Sequence, residues 1–460
     1  MTNNSNRWRF LITACLVNFC TGSIYAWSVF AGPKAEQMSQ LNNVLYTAGD
    51  LAIVFGLANA VGPLPMILGG FVNDRFGPGW LMTVGGLLIG SGLFLSGSAS
   101  DLSSLILSYS LLFGLGLGLT YGATINTCVK LFPDRRGFAG GMATAFYGLC
   151  SVVLPPIAHA LTTNFGIQSA FEIVGAVCGA VICAGGLLSF IFVDKSSANP
   201  PANNAAAGLS WREMIATKRF WKMLFFLCCG AVSGMMIISH SAGIASKQVG
   251  LTAAMAATAV SYLALINTLG RVAAGAVSDR LGACQTLILS SVLTALGMAL
   301  LLMCSNGSVA LFFAALTLVG FSFGSFMGIY PGFTAAAFGA KHNSVNYGIM
   351  FAGFSFDCHA VRTLCCVKRQ LRFKSSVLAE RNRCRTCHFL AGFDNCFTCF
   401  CFFRIKNALN LHTDKAVICW FRVLFCSFHI FRQTVNSVFK RSDTLRVIFN
   451  YLVLKSVLFR

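Results

Sequence analysis

Arg271 stands inside an apolar run, 254–278, that is long enough to cross a bilayer, and lies about five residues from its midpoint. At 1.5 Å per helical residue this is roughly 7 Å off centre. A guanidinium there costs at least ~2.5 kcal/mol on insertion scales, so it must face a water-filled space or a partner group. Asn267, four residues earlier, falls on the same helix face and extends the polar stripe. The chemistry that suits such a group is reversible capture of a carboxylate, because the guanidinium presents paired N–H donors in a plane. Snorkelling to the nearer interface, or locking onto a helix end, is the structural alternative.

Other polar side chains lie in separate apolar runs. Tyr25, Trp27, Tyr121, Tyr147 and Tyr330 each put an aromatic ring with a polar tip where little water reaches. Such a tip needs a hydrogen-bond partner, which a bound oxygen or ordinary packing can supply. His240, in the run 220–246, could titrate and couple proton movement, or simply bond a neighbouring helix. Residues 1–357 contain no hydrolytic triad, phosphate loop or metal-ligand helix, so no catalytic residue, cofactor or metal is expected. Cys15, Cys20, Cys228 and Cys229 read as small apolar residues.

The elements that carry these residues follow from composition. The chain has 460 residues, 56% hydrophobic and 10% charged. Soluble domains carry about 25% charged residues, so a cytosolic enzyme is excluded and the solvent is largely lipid. Ten runs can span a hydrocarbon core: 10–31, 47–72, 80–98, 104–130, 138–163, 168–193, 220–246, 254–278, 284–304 and 309–335. An eleventh begins near 345 and is interrupted. The first run is too long for a cleaved signal core and reads as a retained helix. Placing the N-terminus in the cytoplasm puts thirteen Lys/Arg on inside positions and only Lys34 and Lys247 on outside loops. That asymmetry predicts a multi-pass protein of the cytoplasmic (inner) membrane with its N-terminus inside.

The polar stretch 194–219 reads as a linker ending in an interfacial amphipathic segment, and the sequence on its two sides repeats. Gly70-x-x-x-Asp74-Arg75-x-Gly77 follows the second run, and Gly275-x-x-x-Asp279-Arg280-x-Gly282 follows the eighth, 205 residues later. These residues sit at cytoplasmic ends, where pairing with helix ends or with the opposite half would gate a pathway. Topology determination by positive charge is the plainer role. The glycines at 114, 116, 118, 137, 140, 141 and 148 allow close helix approach. A duplicated six-helix unit marks two halves that move against each other.

The duplicated loop resembles the signature of the major facilitator superfamily, without the usual trailing basic pair. Within it, residues 8–356 look like the oxalate/formate antiporter family and its monocarboxylate relatives. The likeness rests on Gly22-Ser-Ile-Tyr25-Ala-Trp27-Ser28, Leu131-Phe-Pro-Asp-Arg-Arg-Gly137, Leu269-Gly-Arg271 and Asn346-Tyr347-Gly348. It implies an all-α polytopic fold of two pseudo-repeated six-helix halves, 1–193 and 220–357, the second incomplete: ten full helices plus the start of an eleventh. It further implies secondary transport of small organic anions by a monomer, as antiport or proton symport, with Arg271 as carboxylate ligand and the aromatics as a cage. That family's second cation, a lysine in helix 11, would fall seven residues after Tyr347, where this chain has Phe354. One cation favours a monocarboxylate such as lactate, pyruvate or formate over oxalate. A non-transporting sensor on the same fold, or an inactive truncated carrier, remains a separate reading.

The formal net charge of +20 divides unevenly. Residues 1–357 hold 16 Lys/Arg and 10 Asp/Glu, while 358–460 hold 18 and 4. The tail also contains ten of the twenty cysteines, no proline, and Gly392 as its single glycine. Cys384-x-x-Cys387 with Cys396-x-x-Cys399 has metal-knuckle spacing, and Cys384-x-x-Cys387-His388 has haem-attachment spacing. Ten scattered cysteines generate such spacings by chance, and a nucleic-acid partner is not expected. The tail instead reads as non-native or disordered sequence produced by a frameshift near residue 357. Translation of the other two frames beyond that codon is expected to give two apolar spans, and their absence from both frames would sink the reading.

Overall fold

The computed structural model describes residues 4–193 and 208–354. Residues 194–207 of the linker expected at 194–219 lie outside the described residues, as does the tail, and with it the frameshift reading and the cysteine spacings. Among those described, nine helices are long and apolar enough to cross a membrane. The chain starts with α1 (Asn4–Thr21), a 3-10 stretch (Gly22–Ala26) and α2 (Trp27–Asn42), which form one span. Next come α3 (Ala52–Val61), α4 (Pro63–Phe76), α5 (Pro78–Ser98), the one-turn α6 (Leu102–Leu105) and α7 (Gly114–Leu131). The long α8 (Arg136–Phe192) completes the first half.

The second half has the short α9 (Trp211–Ala216), then α10 (Lys218–Lys247), α11 (Ala253–Leu281), α12 (Ala283–Met303) and α13 (Val309–Phe338). A last helix runs over 343–354, at the place of the eleventh run.

The nine spans account for the ten runs. α8 has 57 residues and breaks at Gly166, whose φ of 80° is left-handed. At 1.5 Å per residue, 57 residues would reach about 85 Å, nearly three hydrocarbon cores, so the break separates two crossings. The first run differs more. Its apolar pattern stops just before Gly32-Pro33, yet the helix continues through Pro33 to Asn42. Lys34, expected in an outside loop, is instead fully buried in α2. Its Nζ donates to Gln37 Oε1 and to the Gly97 carbonyl at the end of α5, both at 2.8 Å. A buried ammonium supplied with two oxygens does not have to mark a loop.

Local chemistry sets the helix ends. Asp101 and Ser104 form a reciprocal capping box before α6, and Ser210 with Glu213 does the same for α9. Thr217 caps α10 and Thr252 caps α11 through their hydroxyl oxygens. The duplicated loops turn on equivalent glycines: Gly77 has φ 84° and Gly282 φ 90°. Each ends one helix and opens the next.

A side chain at these positions forces an L-residue into strained backbone. Gly282→Ala is therefore expected to destabilise by about 1 kcal/mol or more, read as a lowered apparent Tm in detergent. Gly243→Ala is the contrast: it sits in α10 with negative φ and nothing within 4 Å of an added Cβ. It should hold or raise Tm, since alanine is the better helix former by roughly 1 kcal/mol.

Candidate functional site

Arg271 is 4% exposed on α11, and the packing around its backbone is close. A Cβ on Gly141 of α8, or on Gly324 or Gly328 of α13, would collide with the backbone of Asn267 or Arg271. Small residues therefore let α8 from the first half and α13 from the second press α11 from two sides. A Cβ at Gly148 would lie 3.3 Å from Arg271 Cζ, so this glycine leaves the space that the guanidinium occupies.

The guanidinium is held by two hydrogen bonds. Nε donates to Asn267 Oδ1 at 3.0 Å, and Nη1 donates to the Thr144 carbonyl at 2.7 Å. The first lies within α11 and fixes the side-chain direction; the second crosses to the other half. A guanidinium has five N–H donors, and among the described residues the other three have no acceptor. The face that remains can accept a planar anion.

Aromatic rings from four helices adjoin this cation. Tyr25 packs edge-on against Tyr147 (5.3 Å between centroids), and Tyr147 against Tyr121 (4.9 Å). Tyr121 meets Phe351 at 5.5 Å, while Phe351 contacts Tyr347 (5.8 Å) and stacks on Phe354 (5.2 Å). Arg271 lies within electrostatic reach of Tyr121, Tyr147 and Tyr347. The 3-10 stretch at Gly22–Ala26 makes this approach possible, since Gly22 abuts the Tyr147 carbonyl and Cys150.

The structure thus brings Arg271, Asn267, Tyr25, Tyr121 and Tyr147 together, but not every residue expected there. Trp27 packs on Tyr109 at 4.5 Å, and Tyr109 donates to the Ile24 carbonyl, so this pair braces the first span. The Tyr330 hydroxyl donates to the Met223 carbonyl at 2.8 Å, tying α13 to α10. His240 is exposed on α10. Sequence reasoning does not single out Thr144, Tyr347 or Phe351. A backbone carbonyl carries no residue signal, and Tyr347 is visible only through the Asn346-Tyr347-Gly348 motif.

The duplicated loops meet the opposite half at one end of the bundle, in two different ways. Asp279 accepts from the backbone N–H groups of Gly137 (2.7 Å) and Phe138 (2.8 Å), which caps the start of α8. Gly275 packs against Gly137 and Gly141 beside it. At the equivalent seam Gly70 packs against Ser344 and Val345, and Asn73 donates to Ser344 Oγ at 2.9 Å. Asn343 donates to Asn126 Oδ1 at 2.7 Å. Asp74 does not cross between halves: it makes a part-buried ion pair with Lys130 within the first. Arg75 and Arg280 are exposed, and Arg75 lies over the Phe76 ring. Gly77 and Gly282 form the turns themselves.

Comparison with known proteins agrees with this architecture. The chain is 29% identical over 351 residues to the uncharacterized MFS-type transporter YhjX of Escherichia coli (strain K12), covering 76% of this chain and 85% of that one. It is 28% identical over 351 residues to the oxalate:formate antiporter of Oxalobacter formigenes, covering 75% and 81%. The fold resembles the solved proton:xylose symporter XylE with a TM-score of 0.61 at 13% identity, covering 81% of this chain and 90% of that one. Residues 12–356 match the Major Facilitator Superfamily, and the chain belongs to that family of membrane transporters.

Proposed function

We propose that the protein carries small organic anions across the membrane, binding a monocarboxylate such as formate, lactate or pyruvate at Arg271. The observation that carries this reading is a buried guanidinium with donors to spare, fixed by Asn267 and Thr144 and walled by aromatic rings. A carboxylate placed there would gain charge-assisted hydrogen bonds that water cannot match in so dry a site. The tyrosine hydroxyls can donate to the same oxygens, and the ring faces accept the rest of a small molecule. Similarity to a protein named for oxalate and formate supports the substrate class.

Charge matching supports a monocarboxylate over oxalate. Phe354 stacks on Phe351 where the resembled family carries its second cation, so a dianion would keep one charge uncompensated beside an aromatic surface. Alternating access would come from residues 1–193 rocking against 220–357, with the seams at Asp279 and Asn73 closing one end. With the N-terminus in the cytoplasm of the inner membrane, that closed end faces inward. Coupling by antiport or by proton symport, with His240 as the titrating candidate, is compatible with this cycle.

Proteoliposomes taking up radiolabelled formate, lactate and oxalate provide the test. The intact protein should carry the two monocarboxylates faster than oxalate. Arg271→Ala should abolish uptake, since each charge-assisted bond lost costs about 1.5–3 kcal/mol, or roughly ten- to a hundredfold in affinity. Arg271→Lys keeps the charge but loses the bidentate geometry, so at least about tenfold is expected. Uptake untouched by Arg271→Ala would remove the proposal, and no uptake of any anion would favour a sensor or an inactive carrier.

A further inference from the structure

The segment that enters the second half is held rigidly and presents positive charge. Leu209 N–H donates to the Phe338 carbonyl at 2.8 Å, and Asn346 Nδ2 donates to the Leu209 carbonyl at 2.9 Å. Met214 is fully buried beneath α9, and Trp221 Nε1 donates to the Ile215 carbonyl at 2.9 Å, which joins α9 to the start of α10. On this scaffold Trp211, Arg212, Lys218, Arg219 and Lys222 are all exposed. The Arg212 guanidinium lies 5.1 Å over the Trp211 ring.

Among the described residues no ion pair reaches these cations, and Arg219 Nη1 donates only to the Ala337 carbonyl at 3.5 Å. Glu213 is the sole carboxylate in residues 208–222, and it accepts from Ser210 N–H (2.7 Å) and Oγ (2.9 Å) in its own capping box. The positive end of the α10 dipole adds to the field at Lys218. The position along the membrane normal is also marked. The buried face of α10 carries Phe220, Met223 and Leu224 from its first turns. Its exposed face changes from Lys218 and Lys222 to Phe225, 43% exposed, within one further turn. A helix face that turns from ammonium to bare phenyl over three residues crosses from headgroup level into hydrocarbon there. Trp211, with an apolar ring and an N–H, suits the same level.

We propose that Trp211, Arg212, Lys218, Arg219 and Lys222 form a binding site for the headgroup of an anionic phospholipid. The phosphate and its neighbouring charge take the place of the missing carboxylates, and the acyl chains run along the exposed face of α10 below Lys222. The site is separate from Arg271 and does not depend on the substrate proposed there.

The full chain in nanodiscs tests this through Trp211 fluorescence, obtained as the difference between the intact protein and Trp211→Phe. Dibrominated phosphatidylglycerol should quench it at least about fivefold more than dibrominated phosphatidylcholine at equal mole fraction, the enrichment that one Lys or Arg confers near an anionic surface. Combined Arg212→Gln, Lys218→Gln, Arg219→Gln and Lys222→Gln should bring the two lipids to parity, and Arg212→Gln alone should fall between. Excess inorganic phosphate should leave the preference in place. Equal quenching of the Trp211 signal by both lipids overturns the proposal, and needs only the conservative Trp211→Phe variant to fold. A preference erased by inorganic phosphate also overturns it, by assigning the cluster to a soluble anion.

Discussion

Arg271 carries a charge in the middle of an apolar helix, and such a charge can stay only where oxygen atoms already wait for it. Neutral residues could pack there without help; a guanidinium cannot. Asn267 on its own helix supplies one oxygen, and the Thr144 carbonyl from the other half supplies the next. For the second bond to form, α8 must approach α11 almost backbone to backbone, which accounts for glycine at 141 and at 148. α13 closes the opposite side through Gly324 and Gly328. The relative placement of three helices thus follows from housing one side chain, and the aromatic rings fill the space that remains next to it.

Much of this is legible in the sequence, for definable reasons. The spans are readable because a run of about twenty apolar residues suits lipid and little else. Gly77 and Gly282 punctuate them with backbone that only glycine adopts easily. Arg271 is legible because a cation is costly at that depth, and Asn267 because helical geometry sets it four residues away. Trp27 shows the limit. It stands two residues from Tyr25, and on a helix of 3.0–3.6 residues per turn such neighbours point roughly 200–240° apart. Tyr25 therefore reaches Tyr147 while Trp27 turns to Tyr109. Tyr330 misleads for another reason: its hydroxyl partner is a backbone carbonyl on α10, which no residue pattern encodes. Lys34 misleads because charge usually signals a loop, whereas here the end of α5 receives it.

Charge placement explains a second layer of the molecule. The first-half seam is made of amides and a hydroxyl, Asn73 with Ser344 and Asn343 with Asn126, whereas the carboxylate that the repeat puts at position 74 turns inward to Lys130. The second-half seam keeps its carboxylate for the other half, with Asp279 on two backbone N–H groups of α8. Hydrogen bonds to an ionised group are roughly twice as strong as neutral ones.

A duplicated fold therefore fastens itself with two unlike clasps. Equal clasps would have to part together, like a pair of doors on one latch. Unequal ones have no need to part together, because one rests on neutral amides and a hydroxyl and the other on a carboxylate. Symmetry in the gene thus ends in an asymmetry of chemistry, ionic where Asp279 meets α8 and neutral where Asn73 meets the helix at 343–354.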